Sequence, residues 1–212
     1  MSEIKLICFD LDDTLISQNS WHKLGNALGV SDEEDRRWYV EYQAGNISYD
    51  RWNEIMLEHY LRHSDATRGG VTKALTSVSY VDGARDSVAY LKAQGYKLVL
   101  ISGSIDIVVN HVAHDLGFDL WKANNTFIFD DNDRFASIRS SGNDTIAKAM
   151  HLESFCKMLG IAMTECACIG DGANDIEMFK RTGHGITFRG SPIEKDAWKV
   201  IDSLKDIPTV FP

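Results

Sequence analysis

Cysteine, basic charge and long apolar runs are all scarce in this chain of 212 residues. Lysine and arginine number 22 against 31 aspartates and glutamates, which gives a formal net charge of −9 at pH 7. This acidic balance argues against nucleic acid or an anionic membrane surface as the main partner. No apolar run reaches the roughly 18 residues that a membrane-spanning helix needs, so we expect no membrane segment.

The cysteines and the first residues of the chain indicate the cellular compartment of the protein. Only four cysteines are present, at Cys8, Cys156, Cys166 and Cys168. They are too few for a disulfide framework. Cys166 and Cys168 are two residues apart on a predicted strand and therefore face the same side, which favours core packing over metal binding. The first residues show neither the basic region nor the long apolar segment of a signal peptide. We therefore expect a reduced, cytoplasmic protein.

Short apolar runs alternate with helical patterns over most of the chain. Hydrophobic residues make up 44% and charged residues 25%, as in globular proteins with one large domain or an insertion. Strands are predicted near 4–9, 97–102, 166–169, 184–188 and 199–201. Helices are predicted between them, near 84–94, 105–116, 144–159 and 174–181. The alternation favours an α/β fold with a parallel sheet covered on both faces.

Two segments depart from this alternation. Residues 16–80 predict three or four amphipathic helices, near 20–28, 32–44, 48–63 and 67–78. We interpret this segment as a helical cap, inserted into a core formed by residues 1–15 and 81–212. Residues 127–135 contain two apolar stretches around a polar turn, which predicts a small β-hairpin.

Polar clusters follow three of the predicted core strands. They are Asp10-Leu11-Asp12-Asp13-Thr14, Ser102-Gly103-Ser104 and Gly170-Asp171-Gly172-Ala173-Asn174-Asp175. Ligands bind at the carboxyl ends of the strands in such sheets, so we expect the clusters to meet there, with Lys148 from a helix. Each cluster alone is compatible with a turn or a helix cap. Together, in this order, they indicate a functional site.

The three clusters and Lys148 resemble the motifs of the haloacid dehalogenase superfamily of phosphotransferases, and most closely those of its phosphoserine-phosphatase-like branch. The resemblance is carried by Phe9–Leu15, Ile101–Ile107 and Ile169–Phe179, and by the distance of Lys148 from Asp171. It covers nearly the whole chain but is specific only in the core. It implies a phosphatase with a Rossmann-like parallel sheet, an inserted helical-bundle cap and a small β-hairpin flap.

The resemblance also implies catalytic roles. Asp10 is expected to be the nucleophile that forms an aspartyl-phosphate. Asp12 would protonate the leaving alcohol and then take a proton from the attacking water. By the family pattern the dehalogenase branch lacks this second aspartate, so Asp12 favours phosphate-ester chemistry. Lys148 would neutralise phosphate and nucleophile, whereas Lys157, the competing lysine, is interpreted as solvated.

Mg²⁺ is the expected cofactor, because the site is built from hard oxygen ligands. Asp10 and Asp171 would supply carboxylates and Asp12 its backbone carbonyl. Asp175 would lie close behind, holding a metal-bound water or Lys148.

Phosphate oxygens are expected to bind the Ser102 hydroxyl and the Gly103 amide, while Asn174 would orient the substrate or the nucleophile. The inserted helices are rich in aromatic residues, most of which should form the core of a helix bundle. Trp21, nearest to the first motif, is the best candidate to line a leaving-group pocket or to face a cationic head group.

Two positions depart from phosphoserine phosphatases. By the family pattern those enzymes hold serine with a glutamate shortly after the first motif and an arginine in the cap. These positions fall on Asn19 and near Met56, and Arg51 is out of register. Without those charges, the ammonium and carboxylate of serine have no obvious partners.

The expected function is therefore a Mg²⁺-dependent phosphomonoesterase for a small cytosolic organic phosphate other than phosphoserine. A phosphotransferase to an alcohol acceptor, a true phosphoserine phosphatase and a non-catalytic phosphate-binding regulator remain open alternatives. The joint presence of the four aspartates and Lys148 argues against the last. We expect a small-molecule phosphate ester as partner, no nucleic acid or membrane, and a monomer or homodimer.

Overall fold

A seven-stranded sheet forms the centre of the molecule. The computed structural model describes residues 3–212, apart from the side chains of Gln43, Tyr49, Asp50 and Asn53. The strands are β1 (Leu6–Phe9), β2 (Lys97–Ile105), β3 (Leu120–Phe129), β4 (Phe135–Ser140), β5 (Cys166–Ile169), β6 (Gly185–Phe188) and β7 (Lys199–Ile201). They lie in the order β4-β3-β2-β1-β5-β6-β7, and each neighbouring pair is parallel except β3 with β4. The predicted α/β class is confirmed.

Helices precede or follow most of these strands. Four lie in the inserted segment: α1 (Ser20–Ala27), α2 (Asp32–Gln43), α3 (Tyr49–Arg62) and α4 (Arg68–Thr76). The others are α5 (Ala84–Ala93), α6 (Asp106–Leu116), α7 (Asp144–Leu159), α8 (Ile176–Thr182) and α9 (Ile207–Val210). None of the described helices combines the length and apolarity needed to cross a membrane.

Alternation along β1 divides the core into two layers. Ile7 and Phe9 pack on one face with residues of α5 and α6, while Leu6 and Cys8 pack on the other with residues of α7 and α8. All four side chains are fully buried, and each large apolar one contributes about 2 kcal/mol of burial free energy. The remaining cysteines lie in the second layer as free thiols, so the core packing predicted for Cys166 and Cys168 is confirmed.

The inserted helices begin at residues that the sequence marks as caps. The Asn19 side chain accepts from the backbone N–H of His22 at the start of α1. Ser31 and Glu34 form a reciprocal capping box at the start of α2. Ser48 caps α3 in the same way as Asn19 caps α1. These local hydrogen bonds explain why the helix starts could be predicted from sequence alone.

The hairpin is part of the central sheet and is longer than the predicted 127–135 segment. β3 begins at Leu120 because its first half pairs in parallel with β2, and only its second half pairs with β4. The guanidinium of Arg134, next to the turn, donates to the carbonyls of His63 and Ser64. The hairpin is thereby attached to the end of α3.

The topology brings the predicted motifs together. β1 lies between β2 and β5, and the three strands are parallel. From β1 the sheet is extended on one side by β2, β3 and β4 and on the other by β5, β6 and β7. Such a switch in strand order opens a crevice at the carboxyl ends of the central strands.

Candidate active site

Asp10 lies at the centre of the site, one residue beyond the end of β1. Its backbone N–H donates to the carbonyl of Ile169 at 2.9 Å, which ties the turn after β1 to the end of β5. The residue is 5% exposed. Because β1 is hydrogen-bonded on both sides, Asp10 is carried by a strand that cannot move independently of its neighbours.

The ammonium of Lys148 joins two of the predicted carboxylates. Lys148 lies in the second turn of α7 and is completely buried. Its Nζ lies 2.8 Å from Oδ1 of Asp10 and 2.8 Å from Oδ1 of Asp175. Burial by itself lowers the pKa of Lys148, but the charges of Asp10 and Asp175 outweigh it and raise that pKa above its ordinary value. Lys148 is therefore a fixed cation beside the predicted nucleophile.

Asp10, Asp171 and Asp175 form an acidic cluster in which one oxygen from each lies within 4.8 Å of the others. Burial, reinforced by the charge of Asp10, raises the pKa of Asp171 to about 6. Burial and Asp10 also raise the pKa of Asp175, against the opposing charge of Lys148. Three carboxylates thus share one ammonium among the described residues, and a further cation would relieve the excess negative charge.

The donor set fits a divalent metal ion, because carboxylate oxygens are the ligands that Mg²⁺ prefers. Thr14 donates from Oγ1 to Oδ1 of Asp171 at 3.1 Å, which orients one of the candidate ligands. The carboxylate of Asp12 lies outside the acidic cluster. This agrees with a role for Asp12 in which only its backbone carbonyl is offered to the metal.

The Asp12 carboxylate is held by a row of hydroxyl groups. Ser20 donates from Oγ to Oδ2 of Asp12 at 2.7 Å and is also hydrogen-bonded to the hydroxyl of Ser104. The backbone N–H of Ser104 in turn donates to Oγ of Ser102 at 3.1 Å. Burial raises the pKa of Asp12 to about 7, although the hydrogen bond from Ser20 opposes the rise. A carboxyl group with such a pKa can both donate and accept a proton near neutral pH.

A polar cleft of about 270 Å³ opens over these groups. The predicted site residues line it except Lys148 and Asp175, which are buried behind Asp10. A Cβ at Gly103 would lie 2.9 Å from Oδ2 of Asp144, so a larger residue there would displace the Asp144 carboxylate. Asn174 borders the cleft, but among the described residues its side chain makes no hydrogen bond to Asp10. Its predicted orienting role therefore stays a prediction.

Asp144 is a cleft residue that sequence reasoning misses. Its Oδ1 accepts from Nδ2 of Asn124 at 2.7 Å, and burial raises its pKa. It lies in the first turn of α7, four residues before Lys148 and therefore on the same helix face. That spacing is the signal from which it could have been found. The contact of Ser20 with Asp12 has no such signal, because it forms only when α1 packs over β1.

Trp21 separates the polar cleft from a second space, which we call the apolar chamber. This chamber measures about 370 Å³. The indole Nε1 of Trp21 donates to the carbonyl of Gly103 at 3.4 Å, and the ring centroid lies 6.0 Å from that of Phe127. The residues lining the apolar chamber are Asn19, Trp21, His22, Asp35, Tyr39, Trp52, Met56 and Ile138. Because Asn19 and Trp21 line both spaces, the cleft and the chamber adjoin.

The chain is similar to known proteins over most of its length. A family model described as haloacid dehalogenase-like hydrolase matches residues 4–183. The phosphoserine phosphatase of Methanocaldococcus jannaschii is 30% identical over 207 residues, covering 98% of this chain and 96% of that protein. The phosphoserine phosphatase of Streptococcus thermophilus is 28% identical over 225 residues, covering 98% and 99%. The solved structure of a phospho-aspartyl intermediate analogue of phosphoserine phosphatase matches with a TM-score of 0.81, at 29% identity and over 99% of both chains.

Replacement of the buried lysine tests how far the fold depends on it. In a metal chelator at pH 7.5, Lys148→Met should lower the free energy of unfolding by about 3 kcal/mol, because it leaves buried carboxylates without their cation. Lys157→Met is the matched control on the same helix, since its side chain is 75% exposed and, among the residues that the structure describes, pairs only with Glu153. It should change stability by less than about 0.5 kcal/mol. Equal losses in urea denaturation of both variants would contradict the structural role of Lys148.

Proposed function

Because the chain belongs to the haloacid dehalogenase-like hydrolase family, in its phosphoserine-phosphatase-like branch, we propose that it hydrolyses a small organic phosphate monoester through a phosphorylated Asp10. The observation that carries this proposal is the buried contact between Asp10 and Lys148 at the polar cleft that Asp12 also lines. The four free thiols favour a reducing compartment, in line with a cytoplasmic enzyme.

The first step transfers the phosphoryl group to the protein. A carboxylate oxygen of Asp10 attacks phosphorus, and the bond from phosphorus to the ester oxygen breaks. The ammonium of Lys148, 2.8 Å from Oδ1 of Asp10, offsets the repulsion between carboxylate and phosphate. Asp12, oriented by Ser20, gives its proton to the departing oxygen, which leaves as an alcohol.

The second step regenerates the enzyme. Water attacks the phosphorus of the acyl phosphate while the ionised Asp12 takes its proton. The bond between phosphorus and the Asp10 oxygen breaks, which releases inorganic phosphate and restores the carboxylate. The hydroxyl of Ser102 and the amide of Gly103 border the cleft where the phosphate oxygens would lie, and Asn174 borders it as well.

Mg²⁺ is the metal that we propose for the acidic cluster. Asp10 and Asp171 would hold it with the backbone carbonyl of Asp12, and Asp175 would support the cluster through Lys148. When bound, the ion would neutralise negative charge on the phosphate and on the nucleophile.

Substitutions of Asp10 and Asp12, the two catalytic aspartates proposed in the first motif, should affect hydrolysis in different ways. Asp10→Asn should abolish phosphate release, because the amide is not an anionic nucleophile. Asp12→Asn should slow hydrolysis of alkyl phosphates by roughly 10²–10⁴-fold, but that of p-nitrophenyl phosphate by less than about tenfold, because a phenolate leaves without a proton. Steady-state kinetics on both esters measure the difference.

Two results would contradict these assignments. Phosphate trapped by acid quenching on a residue other than Asp10 would exclude it as the nucleophile. An equal loss on alkyl and p-nitrophenyl esters in Asp12→Asn would exclude Asp12 as the leaving-group acid.

Removal of the metal should stop turnover without unfolding the chain. After dialysis against a chelator we expect no phosphate release, recovery with Mg²⁺, and poor recovery with Ca²⁺, which tolerates looser geometry. Circular dichroism of the dialysed protein serves as the control for folding. Full activity in the chelator would contradict the metal requirement.

The substrate is proposed to be other than phosphoserine. Asn19 stands where the branch pattern has a glutamate, Met56 lies near the position of its arginine, and both residues line the apolar chamber. The Asn19 side chain caps α1, and Met56 is 8% exposed. Neither residue can pair with the ammonium or the carboxylate of serine, and an unpaired buried charge is costly. In this proposal residues 16–80 act as a cap domain that selects the leaving group.

Phosphoserine should accordingly be a poor substrate. We expect at least one ester with an uncharged, aromatic or quaternary-ammonium leaving group to exceed it in kcat/KM, by on the order of a thousandfold. Trp21→Ala should weaken the preferred substrate more than a small generic ester, since only the former extends past Trp21. If phosphoserine is the best substrate in the panel, the assignment of Asn19 and Met56 is wrong.

A further inference from the structure

The apolar chamber borders negative charge, and none of its described lining residues is a lysine or arginine. Oδ2 of Asp35 lies 3.0 Å from Nδ1 of His22, and Nε2 of His22 lies 3.2 Å from Oδ1 of Asp32. With both carboxylates ionised, these three side chains carry a net negative charge whether His22 is protonated or neutral. Asp35 is the carboxylate of the pair that lines the chamber.

One cation lies nearby but outside the chamber. Arg36 does not line the chamber but borders an adjoining depression of about 230 Å³, which shares His22, Asp35 and Tyr39 with the chamber. It is exposed and forms no ion pair with another residue that the structure describes. Solvent therefore screens its charge, and it leaves the carboxylate of Asp35 as the charge that faces the chamber.

Aromatic rings form much of the remaining wall. Trp21 also lines the polar cleft, Trp52 is partly buried, and Tyr39 is half-exposed. The ring centroid of Trp52 is 6.0 Å from that of Tyr39 and 5.4 Å from that of Tyr42, so it is held in a packed cluster. Aromatic faces attract cations through the ring quadrupole, and tryptophan does so best.

The polar groups of the chamber suit a quaternary ammonium better than a primary one. A primary ammonium brings three N–H donors that need acceptors. One oxygen of Asp35 already contacts His22, and Oδ1 of Asn19 already accepts from the His22 backbone. A quaternary ammonium has no donors to satisfy, so it requires only apolar contact and a nearby negative charge.

We propose that the substrate is the phosphate ester of a quaternary-ammonium alcohol, whose cation lies in the apolar chamber against Trp21, Tyr39 and Trp52 with Asp35 as counter-charge. This inference rests on the proposed phosphatase activity and adds the class of leaving group. Asp35 is then a specificity-determining residue that lies away from the reacting atoms. The phosphate occupies the polar cleft, and the alcohol carbon chain passes Trp21.

Two phosphate esters of the same shape test the effect of the positive charge on the leaving group. Choline phosphate and 3,3-dimethylbutyl phosphate differ in having nitrogen or carbon at the centre of the trimethyl group. For the native chain we expect kcat/KM to be at least about tenfold higher for choline phosphate. In Asp35→Asn this ratio should fall severalfold, because only the aromatic faces then favour the cation. Asp32→Asn is the matched control, because Asp32 also contacts His22 but lies outside the chamber, with a side chain that is 70% exposed. In this variant the ratio should stay within about twofold of the native value.

A binding measurement separates this inference from the proposed activity. Choline and 3,3-dimethylbutanol are titrated into the native chain, and tryptophan fluorescence is followed because Trp21 and Trp52 line the chamber. Choline should bind at least about tenfold more tightly, and Asp35→Asn should reduce this difference severalfold. Equal binding of both alcohols to the native chain, or a preference that is unchanged in Asp35→Asn, overturns the inference. Absence of phosphate release from any ester, p-nitrophenyl phosphate included, would instead overturn the proposed function, and the choline titration would still decide the ligand of the chamber.

Discussion

The ammonium of Lys148, which has no exposure to water, is held between the carboxylates of Asp10 and Asp175. The rest of the site is arranged around these three charged groups. Removing three charged groups from water is costly and is tolerated only when each finds a close partner. The partners come from β1, from the loop after β5 and from α7, which lie in separate parts of the chain. The site can therefore form only when the central sheet and α7 have packed, so folding and assembly of the site are one event.

In the proposed function, the chemistry and the selection of substrate are supplied by different parts of the structure. The ends of β1, β2 and β5 carry the charged and hydroxyl groups of the polar cleft. The inserted helices α1, α2 and α3, with Ile138 of β4, supply the apolar chamber. A rigid sheet suits groups that must be held within tenths of an ångström. In a separate helical segment, the residues that line the chamber can vary without disturbing the reacting groups.

Short motifs at strand ends made the cleft predictable, because strand topology alone brings Asp10, Ser102 and Asp171 to one edge of a parallel sheet. Lys148 could be predicted only with the help of the family spacing, since its burial depends on how α7 packs. The charge of the apolar chamber could not be predicted. Asp35 and His22 belong to different helices, and their contact depends on a helix-packing angle that no periodicity encodes. The early start of β3 escaped prediction for a similar reason, since it is fixed by pairing with β2.

Ser20 and Trp21 are neighbours in the first turn of α1, yet one orients the carboxyl group of Asp12 and the other contacts the carbonyl of Gly103. In the proposed function, the border between the segment that selects the substrate and the groups that carry the chemistry thus runs inside a helix, not at the loop where the inserted segment begins. A chimera that exchanged the whole segment from residue 16 would also discard the hydroxyl that aligns the acid. A crossover placed after Trp21 would keep that alignment and still exchange most of the residues that line the chamber.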